Sequence, residues 1–289
     1  MDDMARKPLP TLRLRRLAAE LRSLRSAASL SREAVEERTG ITGTTLYRLE
    51  TAKVRPQRRT LNSLLDLYNV TDAKAREDLH ALSRKSGDPE WLQSYQSELT
   101  EQYMTYIAFE QEAREVRNFE SLFVPGLLQT EAYATAVIAG VLPTATPEEV
   151  ANRVRVRLQR QRLLEQQEPL RLWAVVDEAA FRRTVGGSAV MADQLRTLAE
   201  RAALPHVSVQ VIPFNAGAHP GMPGSFSVLS FADSADPDIV YTDSMSGDLF
   251  TDSPPAVRRH MLTFAHLQSV AVSPADSIQL LNRLVDELE

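Results

Sequence analysis

The segment "TGTTLYR", Thr42 to Arg48, gathers side chains suited to reading the edges of base pairs. Thr44 and Thr45 donate or accept hydrogen bonds at short range, and Tyr47 and Arg48 have the reach for bases or phosphates. Gly43 is small enough for the backbone to approach a groove, and Thr42 can cap a helix that starts at this point. Lys53, Arg55, Arg58 and Arg59 follow around Pro56. Cations in that position neutralise phosphate oxygens, which fixes register without reading sequence.

A short helix must present these groups, and the flanking sequence supplies it. In residues 12–27, Leu14, Leu17, Ala18, Leu21 and Leu24 recur at spacings of three and four, which predicts a first amphipathic helix. "SLSREAVEERTG" predicts a second, about eight residues long, with Ser31 as N-cap and Gly40 as a left-handed terminator. Ile41 is an apolar plug, and the connection of about three residues suits two helices that cross steeply. On the third helix Leu46 and Leu49 turn inward and Thr44 and Arg48 fall on the opposite side. "TLNSLLDLYNV" and "TDAKAREDLHALSRKSG" predict a fourth and a fifth helix, the fourth with Leu61, Leu64, Leu65 and Tyr68 inward and the fifth ending at Gly87.

The formal net charge of -5 conceals an asymmetry. Residues 1–85 hold 18 Lys and Arg against 11 Asp and Glu, a balance of +7, and the other 204 residues hold 15 against 27, a balance of -12. A basic head on an acidic body is the layout expected when only the head meets a polyanion. With 43% hydrophobic side chains the chain can bury a sizeable core. It has no cysteine, which excludes disulfides, thiolate metal sites and a cysteine nucleophile. The first residues lack an apolar export core, and no run approaches the ~20 apolar residues needed to span a bilayer, so a cytoplasmic location is expected and no membrane partner.

Beyond "RKSGDPEW" the composition changes. One long helix is expected from about Trp91 to Glu120, with Tyr95, Leu99, Tyr103, Tyr106, Phe109 and Glu110 on its buried face. Pro125 and Gly126 make a turn, and Thr130 opens a helix that carries Tyr133. Thr146, Pro147 and Glu149 form a capping box. From Leu170 the apolar period falls to two, which predicts strands at "LRLWAVV", "VSVQVIPF", "SFSVLSFA", "DIVYTDS" and "DLFT", the last two joined near Ser246 and Gly247 as a hairpin. The expected fold is a five-helix bundle over 1–85, a linker and connecting helix over 86–120, and over 121–289 a mixed α/β domain with a sheet of about five strands.

In this second part Asp177 and Glu178 follow a strand, and His219 lies with Phe214 and Pro220 in "FNAGAHPGMPGSF". A histidine and two carboxylates at strand ends suit general acid/base work. Against that, no metal-ligand spacing, nucleophile elbow or phosphate-cradling loop accompanies them. A rigid loop, with Asp177 capping the next helix, or a surface that meets a ligand or partner is the simpler expectation, with no enzyme, metal or cofactor. Pro125, Gly126, Gln129, Tyr133, Asp177, Glu178, Phe214, His219 and Pro220 are the candidate partner- or effector-binding residues.

The order of helix, "LSREAVEERTGITGTTLYRLE", basic loop and "TLNSLLDLYNV" resembles the Xre or Cro-repressor type of helix-turn-helix domain over residues 11–84. This implies a DNA-binding head using Arg32, Thr42, Gly43, Thr44, Thr45, Tyr47, Arg48, Lys53, Arg55 and Arg58. Two positions depart from the family. Arg32 replaces the usual Gln and reaches a phosphate from the start of the second helix. Glu36 replaces the Ala that packs where the two helices cross, and fits if its carboxylate escapes to solvent or pairs with an arginine. "FESLFVPGLLQTEAYA", "AVVDEAAFRRTVGG", "VSVQVIPFNAGAHPGMPGSFSVLSF" and "IVYTDSMSGDLFTD" resemble a C-terminal domain of unknown function found behind Xre-type domains in actinobacterial regulators, some of them antitoxin-like. The resemblance implies a transcription regulator that binds double-stranded DNA, and a body that binds a small co-encoded partner protein or a small-molecule effector. One recognition helix reads few base pairs, so a homodimer is expected. The alternatives are an antitoxin-like protein acting mainly by sequestering its partner and an enzyme fused to a DNA-binding head.

Overall fold

The computed structural model describes residues 11–84, 90–233, 236–243 and 247–289. The chain divides between Ser94 and Tyr95 into two compact units.

The first unit holds α1 (Leu12–Ala27), α2 (Arg32–Thr39), α3 (Gly43–Glu50), α4 (Arg58–Leu67), α5 (Ala73–Arg84) and the single turn α6 (Glu90–Gln93). Local chemistry sets the boundaries. The hydroxyls of Thr11, Ser31 and Thr42 accept from the main-chain N–H three residues on, and Asp72 does the same for Ala75. α2 ends on Gly40 at φ 73°. The ends of α1, α3 and α4 use Ser29, Ala52 and Asn69 in the same left-handed region. After each, a six-to-one bond closes a Schellman motif, as in Leu30 N–H to Arg25 O and Lys53 N–H to Arg48 O. Leu17, Leu21, Val35, Leu46, Leu61 and Leu65 are fully buried in one core. The apolar stripe read from α1 contributes to it, with Leu14 and Leu24 only partly covered.

The second unit runs α7 (Glu101–Glu112), β1 (Ala113–Glu120), α8 (Glu131–Val141), α9 (Pro147–Gln161), β2 (Arg171–Asp177), α10 (Ala179–Arg182), α11 (Ser188–Arg201), β3 (Val207–Ile212), β4 (Phe226–Phe231), β5 (Ile239–Thr242), β6 (Leu249–Thr251), α12 (Pro254–Val270) and α13 (Pro274–Leu288). Six strands form one mixed sheet in the order β3-β2-β1-β4-β5-β6. β1, β2 and β3 are parallel, and β4, β5 and β6 continue antiparallel from β1. The expected turn at Ser246 lies outside the described residues, but β5 and β6 pair as a hairpin should.

The expected single helix over 91–120 is corrected: residues 94–99 are turn and bend, so α6 and α7 are separate and Tyr95 and Leu99 lie between them. The last eight residues of the expected helix are β1, the strand that joins the parallel and antiparallel halves of the sheet, and so they belong to the body and not to a connecting helix. No glycine or proline separates α7 from β1, and "AREVRNFE" is rich in good helix formers. Pairing with β2 on one edge and β4 on the other overrides that preference.

One face of the sheet packs on α12 through Phe119, Val175, Val228 and Val240 against Phe264 and Leu267. Gly221 sits against this core so closely that a Cβ there would lie 2.4 Å from two ring carbons of Phe119. On the other face Tyr106 of α7 stacks on Tyr241 of β5 with centroids 4.2 Å apart. There Arg160 of α9 makes a buried two-pronged pair with Glu110, at 2.7 and 2.8 Å, donates to the Tyr103 hydroxyl at 2.6 Å, and lies over the rings of Tyr103 and Tyr106. Among the described residues no helix is long and apolar enough to cross a membrane.

Candidate nucleic-acid interface

α2, the bend at Gly40 and α3 form the helix-turn-helix. Leu46 and Leu49 anchor α3 in the core, which turns Thr44, Thr45, Tyr47 and Arg48 outward. The Thr42 hydroxyl accepts from the Thr45 N–H at 3.2 Å and lies 2.9 Å from the Thr45 hydroxyl, so both are engaged in the cap. Among the described residues the Thr44 hydroxyl and the Arg48 guanidinium have no partner. They stand four residues apart on one side of α3, ready to hydrogen-bond base edges.

Tyr47 is 43% exposed, with the Arg32 guanidinium 5.3 Å and the Lys53 ammonium 4.9 Å from its ring centroid. Arg32 is not free to follow a phosphate backbone. Its Nε donates to Glu50 at 3.0 Å, and Glu50, fully enclosed, also receives Arg25 Nε at 2.5 Å. Arg25 in turn donates to the Leu30 carbonyl at 2.7 Å. Arg32 thus holds α2 to the end of α3 and orients Tyr47.

After α3, Arg55, Arg58 and Arg59 are exposed and make no ion pair among the described residues, while Pro56 is buried and fixes the loop. α4 begins at Arg58 with no side-chain cap and no acidic residue in its first turn. Its open N–H groups and positive dipole end reinforce the two arginines, an arrangement that favours an anionic oxygen.

In the body, the candidates around the Pro-Gly turn face inward. Tyr133 is completely buried, its hydroxyl accepting from Val124 N–H at 3.2 Å. Gln129 donates to the Val124 carbonyl at 2.7 Å and accepts from Arg157 at 2.9 Å, and Gln161 bridges the carbonyls of Gly126 and Gln129. Pro125 is buried and Gly126 lies beside the Arg160 guanidinium. The polar groups of Gln129 and Tyr133 therefore brace the domain and offer nothing to its surface.

The other body candidates come together past the ends of β2 and β3. Asp177 caps α10 by accepting from Ala179 N–H at 2.8 Å, and its other oxygen meets His219 Nε2 at 2.9 Å. Gly221 N–H donates to His219 Nδ1 at 3.3 Å, so Nε2 carries the proton. Glu178 accepts from Phe214 N–H and from Arg182. Phe214 and Pro220 are exposed. Both nitrogens of His219 are hydrogen-bonded, which pins the loop against the end of β2.

Residues 103–283 match the family model of a domain of unknown function, DUF5753. The chain belongs to this family. Residues 16–79 of this DUF5753 member match a second model, described as a helix-turn-helix domain, which marks the head as that of a DNA-binding regulator. No curated protein and no solved structure matches the chain.

Two roles in the head of this DUF5753 protein escaped the sequence reading. Glu50 stands four residues after Leu46, on the inward face of α3, and a carboxylate at a core position calls for a cationic partner. That signal was present, and the partners are Arg25 and Arg32. Among the described residues Glu36 pairs with no arginine, and it does not simply point to solvent: its Oε2 accepts the Gly43 N–H at 2.7 Å and so caps α3 from the preceding helix. A Cβ at position 43 would stand 3.3 Å from that oxygen, so Gly43 makes room for the contact.

Proposed function

We propose that this protein is a sequence-specific transcription regulator of the Xre type that binds double-stranded DNA as a homodimer, while its body docks a small acidic partner protein. The observation that carries the DNA-binding reading is the exposed, unpartnered set Thr44, Arg48, Arg55 and Arg58 on and just after a capped α3. Thr44, Tyr47 and Arg48 choose the sequence, with Gly43 and Thr45 close to the groove. Lys53, Arg55 and Arg58 hold phosphates.

Selecting duplexes from a random pool with the full chain tests this. The expected result is one enriched sequence with two half-sites whose centres lie about 34 to 36 Å apart, or a multiple of that. Thr44→Ala and Arg48→Ala should change which sequences are preferred. Arg55→Ala and Arg58→Ala should weaken all duplexes alike and flatten the salt dependence by roughly 0.9 per lost contact. A pool that shows no enrichment rejects the reading.

For the body, a shallow groove beside α12 supports partner docking. Pro220, Pro255, Arg258, Arg259, Leu262 and His266 line it. Leu262 is 73% exposed, and neither arginine has an ion-pair partner among the described residues. A basic, apolar groove in a stretch, residues 86–289, that balances at -12 in total complements an acidic segment with an apolar anchor. Peptides selected from a random library on the full chain should be acidic with an apolar residue at helical spacing, and should lose binding to Arg258→Glu/Arg259→Glu and to Leu262→Asp. Selected peptides without acidic bias, or indifferent to those changes, count against this surface. The earlier assignment of Gln129 and Tyr133 to docking finds no support in their inward placement.

A further inference from the structure

The leading N–H of a helix that enters a DNA groove is a natural receptor for a phosphate oxygen, because the helix dipole and the unpaired donor act together. In this protein that donor is taken. The Gly43 N–H, the first of α3, is held at 2.7 Å by the Glu36 carboxylate, which arrives from α2 and remains exposed. Room for the contact is built in, since any Cβ at position 43 would crowd the same oxygen at 3.3 Å. The other oxygen, Oε1, has no hydrogen-bond partner among the described residues.

We propose that Glu36 is a specificity-determining residue: its carboxylate occupies the receptor N–H of α3 in place of a DNA phosphate and suppresses binding to non-cognate DNA. The inference rests on the reading that α3 enters the groove. A fixed negative charge at the tip of that helix repels phosphate oxygens and the acceptor edge of guanine. It tolerates an exocyclic amino group, of which cytosine N4 suits a carboxylate acceptor best. The basic loop attracts any duplex, and Glu36 opposes that attraction wherever no amino group faces Oε1. Discrimination is then a penalty against wrong sequences as well as a reward for the right one.

Glu36→Gln separates this from simple capping. The amide oxygen still accepts from Gly43 N–H, but the charge is gone. Affinity for a random-sequence duplex, measured by fluorescence anisotropy from 50 to 300 mM salt, should rise about threefold to tenfold. The plot of log affinity against log salt should steepen by up to about 0.9, as for one more effective phosphate contact. Preference for cytosine at one position of the selected sequence should fall in the same variant. Glu36→Ala loses the hydrogen bond too and should share these gains while lowering thermal stability. If Glu36→Gln binds the random duplex with wild-type affinity and slope, Glu36 is a helix cap alone and the proposal is overturned. If the wild-type chain binds no duplex at all, the underlying groove reading fails and takes this proposal with it; the two failures are told apart by the wild-type measurement.

Discussion

Glu120, the last residue of β1, gives the body a pH dependence that can be worked out from its surroundings. Burial pushes its carboxyl from the ordinary 4.5 up to about 7, against the opposing pull of donors from Asn118 and Ser225 and of the Arg157 charge, with Asp243 adding to the rise. The native state therefore keeps the proton over a range where the unfolded chain has released it. Stability is fully present below about pH 4.5, falls as pH rises, and levels off above about 7. A shift of about 2.5 units corresponds to about 3 kcal/mol, an upper figure because the side chain keeps some solvent access. Glu120→Gln replaces the neutral acid with a neutral isostere that does not titrate. Relative to the wild type it should become more stable by about 1 to 2 kcal/mol between pH 5.5 and pH 8. Two tryptophans make the assay specific to the body: with Trp91→Phe in both proteins, Trp173 of β2 is the sole reporter of urea unfolding. Asp248 is also raised, to about 6, mainly by burial and then by Asp243, and it titrates in both proteins, so the difference isolates Glu120. A difference that stays flat within about 0.5 kcal/mol over that range refutes the argument that Glu120 holds its proton in the native fold.

Arg160→Met should cost the body about 3 to 5 kcal/mol, because Glu110 is left enclosed without its cation, and adding Glu110→Gln should restore a measurable part. Equal urea midpoints for the single and double variants would show that the pair does not act as one. Gly221→Ala should cost about 1 to 3 kcal/mol, since the new methyl meets the Phe119 ring, and the His219 ring resonances should shift with the loop. Ser29→Gly, at an exposed left-handed position, should stabilise the head by about 0.5 to 1 kcal/mol, read from hydrogen exchange of the buried amides of α1.

What could be read from sequence followed the range of the interaction that decides it. The caps at Ser31, Thr42 and Thr146 and the turn at Gly40 depend on neighbours within a few residues, and each stands as expected. β1 depends on Arg171–Asp177 and Phe226–Phe231, which lie some 50 and 110 residues away, and so its local helix propensity misled. β2 and β3 were legible because their two-residue period is local, with Leu172 and Ala174 buried in β2 and Val207, Val209 and Val211 in β3. The inward turn of Gln129 and Tyr133 was not, since a polar side chain next to a Pro-Gly turn looks alike whether it meets solvent or braces α9. Asp177 as cap of α10 was legible, but its bond to His219 joins residues 42 apart and needs the finished sheet.

The same distinction changes the electrostatic account of the head. A balance of +7 over residues 1–85 treats every cation as available to a polyanion, and the geometry does not allow that. Glu50 holds both Arg25 and Arg32 in the interior contact between α1, α2 and α3, so those two charges serve the scaffold. Arg76 is paired with Asp66. Among the described residues the open cations on and after the recognition helix include Arg48, Lys53, Arg55, Arg58 and Arg59, with Glu36 set against them at the tip of α3. An acidic protein can thus present a local cationic face, because Glu50, Asp66 and Asp72 are engaged in bracing the helices of the head. The salt dependence of binding should follow the handful of open cations per head and not the formal total, at roughly 0.9 per contact made. Removing Arg32 should then disturb Tyr47 and the fold more than the slope, whereas removing Arg55 should do the reverse.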